Sequence, residues 1–501
     1  MIERPESPAL RSAVSEAGSM PDPHAAEPRS SRLNFQKAGA IARMRSLERQ
    51  INVTEQELEQ ALEKLRSSKS KRTEAAHYRS LIHRLRQRWY LRPFIPASAL
   101  EPRTPPLPPL SRSWQFRGPR FDPQDSKGRL RVAIVGHQLS AELFGAEQSL
   151  IDVINAIDPQ RFDIFAVFPQ RNDRVFGIIQ DRVQGVCIFP FGWWHKNRLF
   201  QEQTVRKFEQ LYRDQRIDLV HANTITLSDP LIAAQRAGIP GITHAREVIL
   251  LDNYLASQLG MRPSEIAKTV CRNASYVLAN SATTLANYPC GERGSYLHNS
   301  IDPCTFDLPN RADPGAINVG LVSSNLLKKG IFDFVELARQ AEKYLPSLKF
   351  WLIGPVTESI RQLQAEPPSL PRSLYMRDYV SPPPAAYRHL NIVVNLSHFA
   401  ESFGRTVAEA MTARRPVIAY RYGALPELVT DGVTGFLVPF QDLGAILDRL
   451  SFFVHDAAQI GAFGERAREK ALALFSPKSF STQLNDLYAR LISERRPAAS
   501  G

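Results

Sequence analysis

Long hydrophobic runs are missing from this 501-residue sequence. Nowhere do 18 apolar residues follow one another, the length a bilayer-crossing helix needs, so no membrane span is expected. The opening residues, MIERPESPAL, lack a basic segment followed by an apolar one, so no secretory leader is expected either. Cysteine is scarce. Cys187, Cys271, Cys290 and Cys304 show no CxxC or Cys/His spacing, which argues against a metal site and suits free thiols in a reducing compartment. Together these absences predict a cytoplasmic protein.

What is present is a basic charge concentrated in one place. Nearly all of the formal +13 falls within residues 61–120. A local basic patch suits a local partner such as an anionic membrane surface. RNA- or DNA-binding motifs and aromatic stacking repeats do not accompany it, so no nucleic-acid partner is expected.

Residues 1–128 read as a partly disordered N-terminal extension. The first 35 are rich in Pro, Ser, Ala and Glu, too poor in large apolar groups to build a core. Leu47, Ile51, Thr54, Leu58, Ala61 and Leu65 alternate steps of four and three, a coiled-coil seam that would pair two copies of the chain. HYRSLIHRLRQRWYLRPF sets Leu81, Ile82, Leu85 and Trp89 among arginines. Such a helix either lies on an anionic bilayer at the inner face of the cell membrane or packs on its own protein. EPRTPPLPPLSRS follows as an extended linker.

From Arg131 the character changes. RVAIVG, the run ending FDIFAVFPQ, IDLVHANT, GIPGITHA and SYVLANS are short apolar runs separated by helix-length segments. A break near 307–316 precedes INVGLVSS, KFWLIGP, LNIVVNLS, RPVIAY and TGFLVP. The βαβα rhythm predicts parallel, doubly wound sheets. Two Rossmann-like domains facing a central cleft are expected, over 129–308 and 309–478, with a C-terminal helix and tail at 479–501.

The chemistry concentrates after LNIVVNLS. Glu401 follows that strand, and Phe403, Gly404 and Arg405 lead into TVAEAMTA, which has helix-forming composition. In an open α/β sheet ligands bind beyond the carboxyl ends of strands, and helix N-terminal amides suit phosphate oxygens. Glu409, further along the helix, offers paired acceptors for a diol such as ribose. Either glutamate alone would pass as an ordinary helix-start or solvent-facing residue; the ordered set does not.

The stretch ESFGRTVAEAMTARRPVIAYRYGALPELVTDGVTGFLVP resembles the E-x7-E region of glycosyltransferase family 4, the "group 1" transferases. GHQLSAELFGAEQSL, DLVHANTITLSDPLIAAQRAGIPGITHAREV, LHNSIDPCTFD and GLVSSNLLKKGIFDFVELA resemble further family segments, so the likeness covers roughly 130–480. It implies a GT-B fold and retaining transfer from a nucleotide-diphosphate sugar, used as substrate, with no bound cofactor and no metal. The implied acceptor is a saccharide or lipid-linked saccharide in surface glycan assembly. The alternatives are a catalytically weak GT-B scaffold and a sugar-nucleotide epimerase.

The resemblance also implies roles. Glu401 faces donor-sugar hydroxyls, and backbone amides from Phe403 through Gly404 to Arg405 hold sugar or phosphate. Glu409 binds the ribose, Lys329 neutralises the departing diphosphate, and Gly145 lets the first domain's loop approach it. His244, alternatively His137, stands beside the transferred sugar. The family's usual arginine after INVGLVSSN is absent; either Lys328 or Arg405 replaces it, or phosphate binding rests on Lys329 and backbone amides. Ala413-Arg414 stands where Cys-Gly is usual.

Overall fold

The computed structural model describes residues 114–117, 128–137, 145–365 and 370–495. The expected coiled-coil helix, basic amphipathic helix and Pro-rich linker lie outside these residues.

Each apolar run noted from Arg131 onward becomes a strand, because a run bounded by Gly, Pro or Asp and buried on both faces has only that use in an α/β chain. The first sheet comprises β1 (Trp114–Arg117), β2 (Leu130–Val135), β3 (Phe162–Phe168), β4 (Gly185–Ile188), β5 (Leu219–Ala222), β6 (Gly241–Ala245), β7 (Tyr276–Ala279) and β8 (Gly294–Tyr296). They lie in the order β1-β4-β3-β2-β5-β6-β7-β8. All neighbours are parallel except β1, which pairs antiparallel with β4. This edge strand starts upstream of residue 129, where the first domain was expected to begin.

The second sheet comprises β9 (Ile317–Val322), β10 (Leu348–Ile353), β11 (Leu374–Arg377), β12 (Ile392–Asn395), β13 (Val417–Tyr420) and β14 (Gly435–Val438), in the order β11-β10-β9-β12-β13-β14 and wholly parallel. Each sheet has an apolar cluster on both faces. Strand order reverses between β2 and β5 in the first sheet and between β9 and β12 in the second. Loops leaving such a reversal point diverge and open a crevice.

The chain ends by returning to its first half. Helix Pro477–Arg495 sets Phe480, Leu484, Tyr488 and Ile492 into the first domain's core, with Tyr488 edge-on to Phe162 at 5.8 Å. Arg415, fully buried, donates to the carbonyls of Tyr387, Leu390, Leu308 and Pro309, fixing the crossing segment near 308 to the second domain. Arg414 occupies the left-handed region (φ 61°) after the helix Arg405–Thr412, where glycine is favoured.

One expectation is overturned here. Cys271 and Cys290 are joined by a disulfide closing 19 residues, so only Cys187, buried, and Cys304, exposed, are free thiols among the four. The helix Pro263–Asn273 and the turn at Gly291–Arg293 bring the pair together, a juxtaposition that spacing does not reveal. Among the described residues no helix is long and apolar enough to cross a membrane.

Candidate active site

A cavity of about 240 Å³ lies where the loops beyond β9 and β12 meet the start of helix Gly145–Ala156 of the first domain. Its walls include Gly145, Gln148, Ser323, Lys329, Tyr387, Ser397, Glu401, Arg405 and Glu409. Two glycines shape the second domain's side. Gly330 (φ 73°) starts helix Ile331–Tyr344, and a Cβ there would lie 2.1 Å from the Leu396 carbonyl oxygen. Gly404 (φ 82°) starts helix Arg405–Thr412, and a Cβ there would lie 2.6 Å from Leu425. Both turns need the left-handed conformation that glycine adopts without penalty, and both turn the chain sharply beside the cavity.

Lys329 Nζ donates to Glu401 Oε1 at 2.8 Å, and Ser397 Oγ donates to the same oxygen at 2.6 Å. Burial alone would push the Glu401 carboxyl up. The charge and hydrogen bond of Lys329, with Ser397, outweigh burial and hold it below the usual range. The pair is therefore ionic.

Glu409 faces the same cavity. Tyr387 Oη donates to its Oε2 at 2.8 Å, and Arg405 Nε to its Oε1 at 2.9 Å. Arg405 and Glu409 are four residues apart, so one helix face presents both. Burial raises the Glu409 carboxyl, offset in part by Arg405. The second arm of Arg405 crosses to the first domain, where Nη1 meets Asp152 Oδ2 at 2.6 Å. Burial works against the Arg405 charge, but Asp152 and Glu409 prevail and raise its pKa. Asp152 is held in turn by Gln148 at 3.1 Å.

Two further contacts bind the loop of Glu401 to the first domain. Asn280 Nδ2 donates to Ser402 Oγ, and Thr284 Oγ1 to the Ser402 carbonyl, both at 3.0 Å. Glu427 accepts from the backbone amides of Ala282 at 3.0 Å and Thr283 at 2.6 Å. His298 Nε2 stands 3.2 Å from Oε2, the oxygen that also accepts from Ala282.

The structure thus brings Gly145, Lys329, Glu401, Arg405 and Glu409 to one cavity. The remaining candidates fall elsewhere. His244 is fully buried in β6 and does not line the cavity. Its Nδ1 lies 3.1 Å from both His221 Nε2 and Arg246 Nη2, and burial drives its pKa well below the usual range. Phe403 and Gly404 do not line the cavity either. The Phe403 ring packs on Phe475 at 5.4 Å, leaving only its backbone available. Lys328 points its ammonium at the Phe399 ring, 4.4 Å from the centroid. His137 follows β2, and its Nδ1 is buried without a partner among the described residues. Where the arginine after β9 is usual, Ser323 donates to Asn325 Oδ1 at 3.0 Å. Spacing alone did not reveal Asp152, Tyr387 and Ser397, since each reaches the site from another part of the fold.

Among the described residues no group of three or more His, Cys, Asp or Glu is placed to hold a metal ion. What the cavity offers is paired carboxylates for hydroxyls, and cations beside them for an anionic group.

Two parallel-sheet domains meeting at such a cleft define the GT-B class. Residues 311–470, about a third of the chain, match the family model described as "Glycosyl transferases group 1". It is similar to a sulfoquinovosyl transferase of Arabidopsis thaliana, 24% identical over 316 residues, 58% of this chain and 60% of the relative. It is 33% identical over 110 residues to the lipopolysaccharide core biosynthesis mannosyltransferase LpcC of Rhizobium leguminosarum, covering 22% of this chain and 31% of that one. The chain therefore spans less than two thirds of either relative's length. Among solved structures, Anabaena Alr3699/HepE in complex with UDP superposes with a TM-score of 0.60 at 20% identity, over 73% of this chain and all of that one.

Proposed function

We propose that the chain is a retaining glycosyltransferase that moves a sugar from a nucleotide-diphosphate sugar to a saccharide or lipid-linked saccharide acceptor, in polysaccharide or surface-glycan assembly. The observation that carries this reading is the convergence of the Lys329–Glu401 pair and the Arg405–Glu409 pair on one cavity between the domains. Glu409 offers acceptor oxygens for the ribose diol, and Glu401 offers them for the donor sugar. Lys329 lies beside the path of the leaving diphosphate. A donor with two phosphates also agrees with the UDP held by the similar HepE fold and with the sugar-transfer activities named for the relatives.

The costly event in such a reaction is departure of an anionic nucleoside diphosphate from an oxocarbenium-like carbon. Cations fixed before the reaction stabilise the charge as it develops, and removing one such partner costs about 3–4 kcal/mol of barrier. Fixing Lys329 by Glu401, and Arg405 by Asp152 and Glu409, holds these cations without reorganisation. In same-face transfer the leaving phosphate oxygen accepts the acceptor's proton, so no separate carboxylate base is required of the chain.

One observation favours a second reading, a catalytically weak scaffold. Ser323 and Ser324 stand where the family's arginine is usual, and the cations that line the cavity are already engaged by carboxylates. One experiment separates the two. The purified chain is incubated with a panel of nucleotide sugars, with and without saccharide and lipid-linked acceptors. Release of nucleoside diphosphate and a product of unchanged anomeric configuration are expected. Nucleotide binding without any turnover across the panel would favour the scaffold.

A further inference from the structure

Several buried polar atoms without partners among the described residues gather at the carboxyl ends of β2, β5, β6 and β7 in the first domain. They are His137 Nδ1, Asn223 Nδ2, Arg246 Nε and Asn280 Oδ1. Native interiors leave few such groups unpaired, and each costs free energy unless something else completes it. These four flank the place where the first domain meets the Glu401 loop, since Asn280 itself donates to Ser402.

Arg246 is the informative member. Its Nη1 donates to Asn299 Oδ1 at 3.0 Å, and its Nη2 to Asn223 Oδ1 and His244 Nδ1, both at 3.1 Å. All three partners are neutral side chains, because His244 is held uncharged by burial. Among the described residues the guanidinium makes no ion pair, in contrast to Arg405 and Lys329. Burial drives its pKa down to about 10, opposed by the more distant Glu247 and Asp152. A guanidinium kept charged in such a site without a counter-ion is costly. Arg246 is part-buried and near enough to Asp152 and Arg405 beside the cavity to feel their charges.

We propose that Arg246, with the unpartnered Nδ2 of Asn223 beside it, forms an oxyanion subsite on the first domain's side of the cleft, taking a phosphate or carboxylate group of a substrate. Two sources supply that chemistry: the donor's diphosphate, or an anionic group carried by the acceptor. In the first case Arg246 does from the first domain what the missing arginine after β9 would do from the second. In the second case it selects charged acceptors. The planar fork of a guanidinium suits either group.

The proposal rests on the cleft being the substrate site, but its test reads anion binding and not turnover. Inorganic phosphate is titrated into the full chain by calorimetry, for the wild type, Arg246→Gln and Arg246→Lys, with and without saturating UDP. Phosphate affinity is expected to fall at least ten-fold in Arg246→Gln and by less in Arg246→Lys, which keeps the charge but not the fork. Loss of this phosphate binding when UDP is present assigns the subsite to the donor diphosphate. Its persistence beside UDP assigns it to an acceptor group. Because the arginine has no ion-pair partner among the described residues, Arg246→Gln should melt at or above the wild-type temperature. Unchanged phosphate affinity in Arg246→Gln, no phosphate binding to the wild type, or a Tm lowered by several degrees would each overturn the proposal, the last by making the arginine structural.

Discussion

Arg405 and Asp152 lie 253 positions apart in the chain, yet Nη1 of one meets Oδ2 of the other at 2.6 Å across the cleft. The same guanidinium holds Glu409 through Nε, so the contact between domains and the carboxylate proposed for ribose depend on one side chain. Asp152→Asn removes the charge that opposes Arg405. Breaking a buried pair by removing one partner costs about 3–5 kcal/mol. With side chains 15–16% exposed, the low end, roughly 3 kcal/mol, is expected in chemical denaturation, with a larger radius of gyration in solution scattering. An unchanged stability and radius would mean that this pair does not hold the domains together.

Lys329 and Glu401 are expected to act together. Lys329→Met strands the Glu401 carboxylate in a buried site and removes a cation from the diphosphate's path. Turnover should fall about 10²–10³-fold, the effect typical of losing one such donor. The sign of the pH effect follows from the wild-type pair. Lys329 holds the Glu401 carboxyl low, so without it the carboxyl protonates at higher pH, and the acid limb of the rate profile should move upward. A profile that scales down without moving would show that the two groups are not coupled.

Gly145 separates packing from ligand approach. A Cβ there would meet only Arg405 Cδ, at an ordinary 3.9 Å, while the residue lines the cavity. Gly145→Ala should therefore leave the melting temperature within a degree or two and still weaken nucleotide binding. A loss of stability without any loss of binding would give the glycine a packing role instead.

Glu427 carries a pH signature. Burial opposes its ionisation, but hydrogen bonds from His298, Thr283 and Ala282 outweigh burial and hold its carboxyl at about 2, against roughly 4.3 for an unperturbed glutamate. A depressed carboxyl stabilises the fold above its unfolded pKa, and that stabilisation is lost as pH falls toward the folded value. Glu427→Gln should thus lower Tm at pH 7, and the deficit should shrink between about pH 5 and pH 2. A deficit independent of pH would assign the effect to packing alone.

The parts legible in the sequence were those set by neighbours along the chain. Apolar runs such as RVAIVG and INVGLV announced β2 and β9, and the run VVNLS followed by a helix-forming segment placed Glu401 beyond a strand end and Glu409 within the next helix. β8 is only three residues long, and β11 alternates half-buried and exposed positions, too weak a pattern to read as strands. The role suggested for His244 depended on which way a strand residue faces. Its fate was decided by His221, Arg246 and the distant Tyr488, whose Oη lies 2.5 Å from His221 Nδ1. The Cys271–Cys290 bond and the Asp152–Arg405 pair are likewise products of tertiary approach, which no local spacing encodes.

The central claim, that the cavity between the domains is a nucleotide-sugar donor site, is tested most directly by calorimetric titration. Nucleoside diphosphates, with UDP first, are titrated into the full chain and into Glu409→Ala, together with the 2′-deoxy form of whichever binds. Hydrogen bonds to a charged group contribute about 1.5–3 kcal/mol. At least one nucleotide should therefore bind the wild type, and Glu409→Ala should bind it roughly 10–100-fold more weakly. The 2′-deoxy penalty should be present in the wild type and absent in the variant. Saturable binding that Glu409→Ala leaves unchanged, or no binding across the panel, would contradict the account.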